Sequence, residues 1–287
     1  MKNVIITGGN GQLASCIKDA VQDLHDYNFN FIDIEDLDIT DENAVNSFFQ
    51  LNKPDWCINC AAYTAVDKAE TEIEIARAVN VIGAKFLARA SKRNKTKFIQ
   101  VSTDFVFEGL KGTICTEEDE TNPVSVYGVT KLEGEQETIN EVEECLIIRT
   151  SWLYSEYGNN FLKTMLRLGS ERDNLNVVCD QIGTPTYAGD LAQLIVKFIR
   201  EDSLAYGLYH YSNEGVASWY DFALAIMKEG DLICKILPIK TEEYPTPAKR
   251  PAYSVMDKSK IKKTLSIEIP HWHDSLKKCM NIIKNNK

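Results

Sequence analysis

The sequence lacks the features that would place it in several special classes of protein. No apolar run approaches the ~18 residues needed to span a bilayer, and the opening MKNVIITGG reaches glycine too soon for a signal-peptide core. Basic residues number 32 against 42 acidic ones, and the net charge of −10 argues against a general nucleic-acid-binding protein. Internal repeats, low-complexity segments and flexible linkers are absent as well. We therefore expect a soluble, cytoplasmic protein without nucleic-acid or membrane partners.

Histidine is scarce, with 4 in 287 residues, whereas 8 cysteines are present. His271 and His273 have no constellation of acids or cysteines beside them and indicate a helix start rather than a metal site. Cys57 and Cys60 have the CxxC spacing but lie along an apolar, strand-like run, and no second pair completes a zinc site. The sequence thus predicts no metal site, and thiols that stay free in a reducing compartment.

The first half of the chain alternates short apolar runs with longer helix-like segments. Each run is nearly uniformly apolar at its centre, as expected for strands buried on both faces of a parallel sheet. The strand candidates are Asn3–Gly8, Phe29–Ile34, Asp55–Cys60, Lys97–Thr103 and Cys145–Ser151. Between them lie helical segments such as 42–52, with Asp41 as a plausible N-cap, and 74–93. This order predicts an α/β fold with a Rossmann-like doubly wound parallel sheet.

After Trp152 the pattern changes. Residues 159–169, 190–200, 218–229 and 275–285 are typical of helices, 207–213 of a strand, and 232–251 of irregular, proline-rich structure. We expect a dinucleotide-binding domain over residues 1–152, to which parts of 175–212 return. A smaller, interleaved substrate-binding region covers 153–287.

A glycine turn follows the first strand candidate and opens a helix. In ITGGNGQLA, Gly8 and Gly11 allow the backbone to approach a pyrophosphate, and the helix N-terminus supplies N–H donors. The spacing departs from GxGxxG and ends on the small Ala14. Asp33 stands at the end of the second strand, where a carboxylate accepts hydrogen bonds from ribose hydroxyls. This pair of features predicts a dinucleotide site, and the acid favours NAD(H) over a 2′-phosphorylated cofactor.

The segment SVYGVTKLEGE places Tyr127 one helical turn before Lys131. With 12 tyrosines in the chain, about one such pair is expected by chance, so the pair has meaning only in context. That context is Thr103, at the carboxyl end of the fourth strand, where ligands of open α/β sheets bind. An ammonium beside a phenol favours the phenolate and lowers its pKa, as proton transfer near neutrality requires. The alternative is a helix-surface pair between Lys131 and Glu135.

Several segments together resemble the extended short-chain dehydrogenase/reductases and, within them, the dTDP-4-dehydrorhamnose reductases. The resemblance spans nearly the whole chain, in order. Its segments are NCAAYTAVDKAE, VSTDFVFEG, NPVSVYGVTKLEGE, IIRTSWLY, GNNFLKTML and YPTPAKRP. It implies hydride transfer from NADPH or NADH to a dTDP-linked 4-keto-6-deoxysugar, forming dTDP-L-rhamnose.

The same resemblance implies roles for individual residues. Tyr127 donates the proton. Lys131 tunes the pKa of the Tyr127 phenol and holds the cofactor ribose, and Thr103 polarises the carbonyl of the substrate. The cofactor-binding positions are Gly8, Gly11, Gln12 and Leu13 at the phosphate turn, Asp33, Asp38 and Ile39 near the adenosine, and Ala62, Tyr63 and Thr64 beyond strand three. The substrate contacts are Thr103, Asp104, Trp152 and Arg250, the last as a diphosphate clamp.

Simpler interpretations stand beside four of these assignments. Arg250 could pair with the acids of the preceding TEEY, and Trp152 could belong to the core. Asp104 could cap a turn, and Asp38 could cap the next helix.

The sequence also departs from the family pattern. Tyr253 stands where the family usually has asparagine. Some members dimerise through magnesium held by glutamates near the first helix and in the C-terminal region, so a homodimer is one expectation. Here Ser15 and Cys16 occupy the corresponding part of the first helix, so we do not expect that metal. Two other functions remain open: a non-catalytic dinucleotide-binding regulatory subunit of the same fold, and a reductase or epimerase of another sugar nucleotide.

Overall fold

The structure is a computed structural model that describes residues 1–109 and 112–285. Its strands are β1 (Lys2–Thr7), β2 (Tyr27–Ile32), β3 (Trp56–Asn59), β4 (Lys97–Thr103), β5 (Cys145–Thr150), β6 (Leu153–Tyr154), β7 (Asn174–Val178), β8 (Ile182–Gly183), β9 (Thr186–Tyr187), β10 (Gly207–His210), β11 (Ala217–Ser218) and β12 (Lys235–Ile239). Its helices are α1 (Gln12–Ala20), α2 (Glu42–Asn52), α3 (Val66–Ala69), α4 (Ile73–Arg77), α5 (Ala84–Asn94), α6 (Val126–Glu141), α7 (Phe161–Glu171), α8 (Ala188–Arg200), α9 (Trp219–Glu229), α10 (Ser259–Leu265) and α11 (Trp272–Asn285).

The central sheet has six parallel strands in the order β10-β5-β4-β3-β1-β2. All five strand candidates of the first half form, and the doubly wound fold is confirmed. The strand order reverses between β1 and β3, and in such sheets the ligand crevice lies at this reversal. The glycine turn that follows β1 therefore begins at the crevice.

Helices cover both faces of the sheet. On one face, α1 and α8 pack in a cluster with Ile6, Ile58 and Leu146. On the other face, α2 and α5 enclose Ile5 and Phe98. Burial on both faces explains why these strands are apolar at every central position.

A buried chain of polar side chains ties three strands together at their carboxyl ends. Thr7 donates to the Asn59 side chain at 2.6 Å, and Asn59 donates to the Gln100 side chain at 2.8 Å. Because β1, β3 and β4 are adjacent, this chain fixes their ends below the crevice.

The helical segment predicted over 74–93 is helical but not uniformly α. Residues 78–83 form a π-helical turn between α4 and α5. Within it, Asn80 accepts a hydrogen bond from the Tyr63 backbone N–H at 2.8 Å and donates to the Thr130 hydroxyl at 3.0 Å. The turn therefore joins the loop after β3 to α6.

The second half builds a separate core and also adds to the sheet. Helices α7, α9 and α11 pack with β7 and β12 around Phe222 and Leu276. The prediction of irregular structure is wrong for 235–239, because β12 pairs in parallel with β7. Meanwhile α8 packs on α1, and β10 pairs with β5 at the edge of the sheet.

Two further expectations concern membrane-spanning helices and the thiols. Within residues 1–109 and 112–285 no helix is long and apolar enough to cross a bilayer. All eight cysteines are free thiols, and Cys57 lies in β3 as the apolar run predicted.

Candidate active site

One large cleft lies over the carboxyl ends of β1, β3, β4 and β5, with a volume of about 1060 Å³. This exceeds the ~300–1000 Å³ typical of a site for one drug-sized ligand. The cleft therefore has room for an extended dinucleotide and a second ligand. All the predicted site residues except Tyr63 line it: Gly8, Gly11, Gln12, Leu13, Asp33, Asp38, Ile39, Ala62, Thr64, Thr103, Asp104, Tyr127, Lys131, Trp152 and Arg250.

The glycine turn has the geometry of an anion site. Gly8 has φ +64°, and a Cβ atom there would lie 2.9 Å from the Ala61 backbone, so no other residue fits without displacement. Gly11 precedes α1 with no side-chain cap, and the first helical hydrogen bond runs from Ser15 N–H to Gly11. The amides of the first turn of α1 are therefore available to a ligand at the positive end of the helix dipole.

Two acids follow β2 along the same wall. Asp33 accepts hydrogen bonds from the N–H groups of Asn10 and Ile34, both at 2.8 Å. The Asp33 carboxylate is therefore fixed beside the glycine turn. Hydrogen bonds from the hydroxyl and N–H of Thr40 hold the pKa of Asp38 below its usual value. Asp41, not Asp38, caps α2, as predicted.

The loop after β3 contributes Ala62 and Thr64 to the cleft but turns the Tyr63 side chain away. The Tyr63 hydroxyl donates to Glu72, whose hydrogen bond raises the phenol pKa. The structure thus does not bring this predicted cofactor contact to the cleft wall. The backbone of Tyr63 has a structural role instead, because its N–H donates to the Asn80 side chain and so holds the loop in place.

Tyr127 and Lys131 lie in the first turns of α6, which the Ser125 hydroxyl caps by accepting from the Gly128 N–H at 3.2 Å. The Lys131 ammonium is buried and donates to the Val101 carbonyl at 2.7 Å. Burial lowers the Lys131 pKa to about 8, against the opposing pull of Glu135. The lysine is therefore held at the end of β4 rather than on the surface of α6.

The phenol of Tyr127 is shifted in the direction opposite to the expected one. Burial raises its pKa to about 12, and hydrogen bonding to Thr103 only partly opposes the rise. The ring packs edge-on against Phe105, with 5.4 Å between centroids. At neutral pH Tyr127 is therefore protonated, which is the state a proton donor requires.

Thr103 and Asp104 lie at the carboxyl end of β4, beside Tyr127. The Thr103 hydroxyl donates to Asp104 Oδ1 at 3.1 Å. Burial raises the Asp104 pKa to about 6, although hydrogen bonds from Ser254 and Thr103 oppose this. Asp104 is the first residue of a short 3₁₀ turn and lines the cleft, but the cap of that turn is Thr103, whose hydroxyl accepts from the Phe105 N–H at 3.3 Å.

Trp152 is held in the cleft in a strained backbone conformation, with φ +46°. Trp219 stacks on one side of its indole, with 3.5 Å between centroids and 5° between planes. Gly183 lies against the ring as well, because a Cβ atom there would be 2.7 Å from it. The Trp219 indole N–H donates to Gln181 at 3.2 Å. Trp152 is therefore a fixed part of the cleft wall.

Arg250 enters the cleft from the proline-rich segment. Its guanidinium pairs with Asp67 in a forked contact at 2.8 and 3.1 Å. Its acid partner is therefore Asp67 of α3, and not the TEEY acids that sequence reasoning considered. The ion pair lowers the Asp67 pKa and holds the arginine in the wall of the cleft.

The structure adds lining residues that the sequence did not single out. Trp219, Cys60 and Asn160 all face the cleft. Asn160 was inside a predicted helix but caps it instead, because its side chain accepts from the Lys163 N–H at 3.1 Å. The motif GNNFLKTML could have indicated this cap. For Trp219, no sequence signal connects it with Trp152.

Comparisons with known proteins identify relatives along nearly the whole chain. The family model described as RmlD substrate binding domain matches residues 1–285. A dTDP-4-dehydrorhamnose reductase from Aggregatibacter actinomycetemcomitans is 42% identical over 287 residues, covering 96% of this chain and 98% of the relative. A crystal structure of a dTDP-4-dehydrorhamnose reductase from Clostridium acetobutylicum ATCC 824 is 44% identical with a TM-score of 0.95, covering 98% of this chain and 99% of that one. The corresponding enzyme from Bacillus anthracis str. Ames, in complex with NADP, is 40% identical with a TM-score of 0.95, covering 98% and 100%. The resemblance is confirmed, and this chain belongs to the dTDP-4-dehydrorhamnose reductase family.

Proposed function

We propose that this protein reduces the 4-keto group of dTDP-4-dehydro-L-rhamnose, forming dTDP-L-rhamnose, with NADPH or NADH as the hydride source. The observation that carries the proposal is the meeting of Tyr127, Lys131 and Thr103 in the same cleft as the glycine turn. The names of the similar proteins supply the substrate, because the 42% identical relative is a dTDP-4-dehydrorhamnose reductase.

The cleft fits a dinucleotide at its glycine end. The uncapped first turn of α1 suits a pyrophosphate, and the Asp33 carboxylate suits a ribose hydroxyl. We assign Gly8, Gly11, Gln12 and Leu13 to the phosphates, Asp33, Asp38 and Ile39 to the adenosine half, and Ala62 and Thr64 to the middle of the cofactor. One similar structure contains NADP, so the preference for NAD(H) drawn from Asp33 stays a prediction.

Reduction of the ketone needs a hydride at the carbon and a proton at the oxygen. The cofactor, when bound, supplies the hydride. Tyr127 supplies the proton from its phenol, which is neutral at physiological pH. The Lys131 ammonium stabilises the negative charge left on that phenol, and the Thr103 hydroxyl donates toward the developing oxyanion.

The remaining residues of the cleft wall suit the sugar nucleotide. Trp152 offers a fixed aromatic wall, and Asp104 offers a carboxylate to sugar hydroxyls. Arg250, already oriented by Asp67, can direct its remaining N–H toward a diphosphate. We keep the division proposed from the sequence, with residues 1–152 and parts of 175–212 as the dinucleotide-binding domain and the rest of 153–287 as the substrate-binding region. Asp104 and Trp152 are the residues of the first domain that we assign to the substrate.

The alternative functions make different demands on these residues. A regulatory subunit would need no catalytic set, yet Thr103, Tyr127 and Lys131 are all gathered in the cleft. An epimerase would keep its cofactor bound and would not consume it. We also carry forward, as proposals, a cytoplasmic location and a homodimer.

The deciding experiment follows NADPH or NADH absorbance after addition of dTDP-4-dehydro-L-rhamnose, with the product identified by NMR. We expect one reduced cofactor consumed per dTDP-L-rhamnose formed. Conversion of a sugar nucleotide without net loss of NAD(P)H would indicate an epimerase. Cofactor binding without turnover, together with a stoichiometric protein partner, would support the regulatory alternative.

A further inference from the structure

Lys131 shares its buried surroundings with a second charged residue of α6. Glu135 follows it by one helical turn, and the two residues are only 5% and 3% exposed. A helix-surface pair, the simple interpretation of this spacing, is therefore wrong. Both side chains are buried, so each charge requires a partner inside the protein.

Glu135 finds its partner on the neighbouring strand. The guanidinium of Arg149, in β5, donates to its carboxylate at 2.7 Å from Nη2 and at 2.9 Å from Nε. Arg149 is 3% exposed, and its guanidinium lies 5.1 Å from the centre of the Phe107 ring. The pair is thus bidentate and buried on both sides.

Stability alone is a weak reason for such a pair. Removing two charges from water costs about as much as their attraction returns, so apolar residues of similar volume would stabilise the fold as well or better. The placement of Glu135, one turn from Lys131, offers a functional reason instead.

The charges around Lys131 are few. Burial lowers its pKa to about 8, and Glu135 is the first opposing influence, followed by the Cys60 thiol. Burial also raises the pKa of Cys60 and of Tyr127 to about 12, so both are neutral at neutral pH. On the far side of Arg149, burial and the guanidinium lower the His210 pKa to about 3, which leaves that ring neutral too. Asp104, next to Tyr127, adds a negative charge above its pKa of about 6.

We propose that Glu135, fixed by its ion pair with Arg149, is a positioning residue that keeps Lys131 charged and directed at the active site. Arg149 prevents the carboxylate from swinging onto Lys131 itself, so the ammonium stays bonded to the Val101 carbonyl and free to face a ligand. This inference rests on the proposed function for its consequence in catalysis. The effect on Lys131 itself is a property of the protein alone.

The test measures the titration of Lys131 directly, by the ¹³Cε chemical shift in protein labelled with ¹³C-lysine. The Lys131 signal is assigned by its absence in Lys131→Arg. In Glu135→Gln we expect the Lys131 pKa to fall below its native value of about 8, because a buried opposite charge one helical turn away is removed. Glu135→Asp keeps the charge and should restore most of the native value. A Lys131 pKa in Glu135→Gln equal to the native one would overturn the proposal.

A matched control lies on the same helix. Glu137 pairs with Lys85 at 2.9 Å at the protein surface, so Glu137→Gln makes the same change of charge outside the network. We expect no movement of the Lys131 titration there. An equal movement in both variants would show a general charge effect and contradict the assignment to Glu135.

The partner residue gives a contrasting test, since Arg149 is not among the groups that shift the Lys131 pKa. Arg149→Met removes a positive charge, so the Lys131 pKa should not fall, whereas a purely structural role would disturb both variants alike. Where the single variants do not fold, Glu135→Gln combined with Arg149→Met leaves no unpaired buried charge. That double variant should still lower the Lys131 pKa, and an unchanged value would overturn the proposal.

The consequence for catalysis is read separately. The alkaline fall of kcat/KM against pH should move toward acid in Glu135→Gln, by the same amount as the Lys131 titration. A native chain that reduces no keto-sugar would end the proposed function while leaving the titration result valid. If the Lys131 pKa shifts in Glu135→Gln but the pH profile of kcat/KM does not, Glu135 acts on Lys131 without a role in catalysis.

Discussion

The stacked tryptophans of the cleft wall give a prediction that can be worked through from the structure. Trp152 is held at φ +46°, a backbone conformation that costs a bulky residue about 1–3 kcal/mol. The parallel contact with Trp219, at 3.5 Å, helps to hold it there. Trp219→Ala removes this contact and frees the Trp152 indole to leave the sugar end of the cleft.

The size of the effect follows from the value of an aromatic pair. Such a pair contributes about 0.5–1.5 kcal/mol beyond its buried area, which corresponds to a roughly 2- to 12-fold change in an equilibrium constant. We therefore expect the KM for the keto-sugar nucleotide to rise about 2- to 12-fold in Trp219→Ala. The KM for NADPH should change less, because neither Trp152 nor Trp219 is among the residues that we assign to the cofactor.

Two further variants sharpen this assay. Gly183→Ala pushes on the same indole, since its Cβ would lie 2.7 Å from the ring, and it should raise the same KM. Tyr220→Ala, the next residue on α9, does not line the cleft and serves as the control. An unchanged KM for the sugar nucleotide in Trp219→Ala, or an equal rise for NADPH, would refute the reasoning.

Three other predictions concern ligand affinities. Gly8→Ala should weaken NADPH binding at least about tenfold in calorimetric titration, because a side chain at φ +64° meets the Ala61 backbone; native affinity would contradict the glycine-turn assignment. Arg250→Lys should raise the KM for the dTDP-sugar about tenfold with little change for NADPH, since the forked contact is lost; equal changes for both ligands would place Arg250 elsewhere. The Asp33 carboxylate should make NADH bind at least as tightly as NADPH. Binding of NADPH about tenfold tighter than NADH in parallel titrations would contradict that inference.

The sheet was predictable because each central strand is apolar at consecutive positions. Val4, Ile5 and Ile6 are all buried, so β1 could be identified without its neighbours. The glycine turn and the acid Asp33 were likewise local signals. What the sequence could not supply is the strand β12, since Leu237 and Pro238 pair with β7 from far along the chain.

The residues of the site that escaped prediction depend on contacts across the fold. The side chain of Tyr63 turns to Glu72, nine positions away, although its neighbours line the cleft. Trp219, the first residue of α9, meets Trp152 only because the second core brings α9 to the cleft. The phenol of Tyr127 was expected to have a lowered pKa from its lysine neighbour, but burial raises this pKa, and the opposing influence is the hydrogen bond with Thr103. Spacing along a helix gives proximity, whereas burial depends on all the elements that surround it.

The most direct test of the central claim compares the native chain with Tyr127→Phe. Both are mixed with dTDP-4-dehydro-L-rhamnose and NADPH, and oxidation is followed at a pH below the Lys131 pKa of about 8. We predict stoichiometric oxidation by the native chain and a roughly 10²- to 10⁴-fold slower rate in the variant. The variant should still bind NADPH, because the substitution removes only the hydroxyl that donates the proton. A variant that turns over at nearly the native rate would contradict the account, since some other group would then supply the proton.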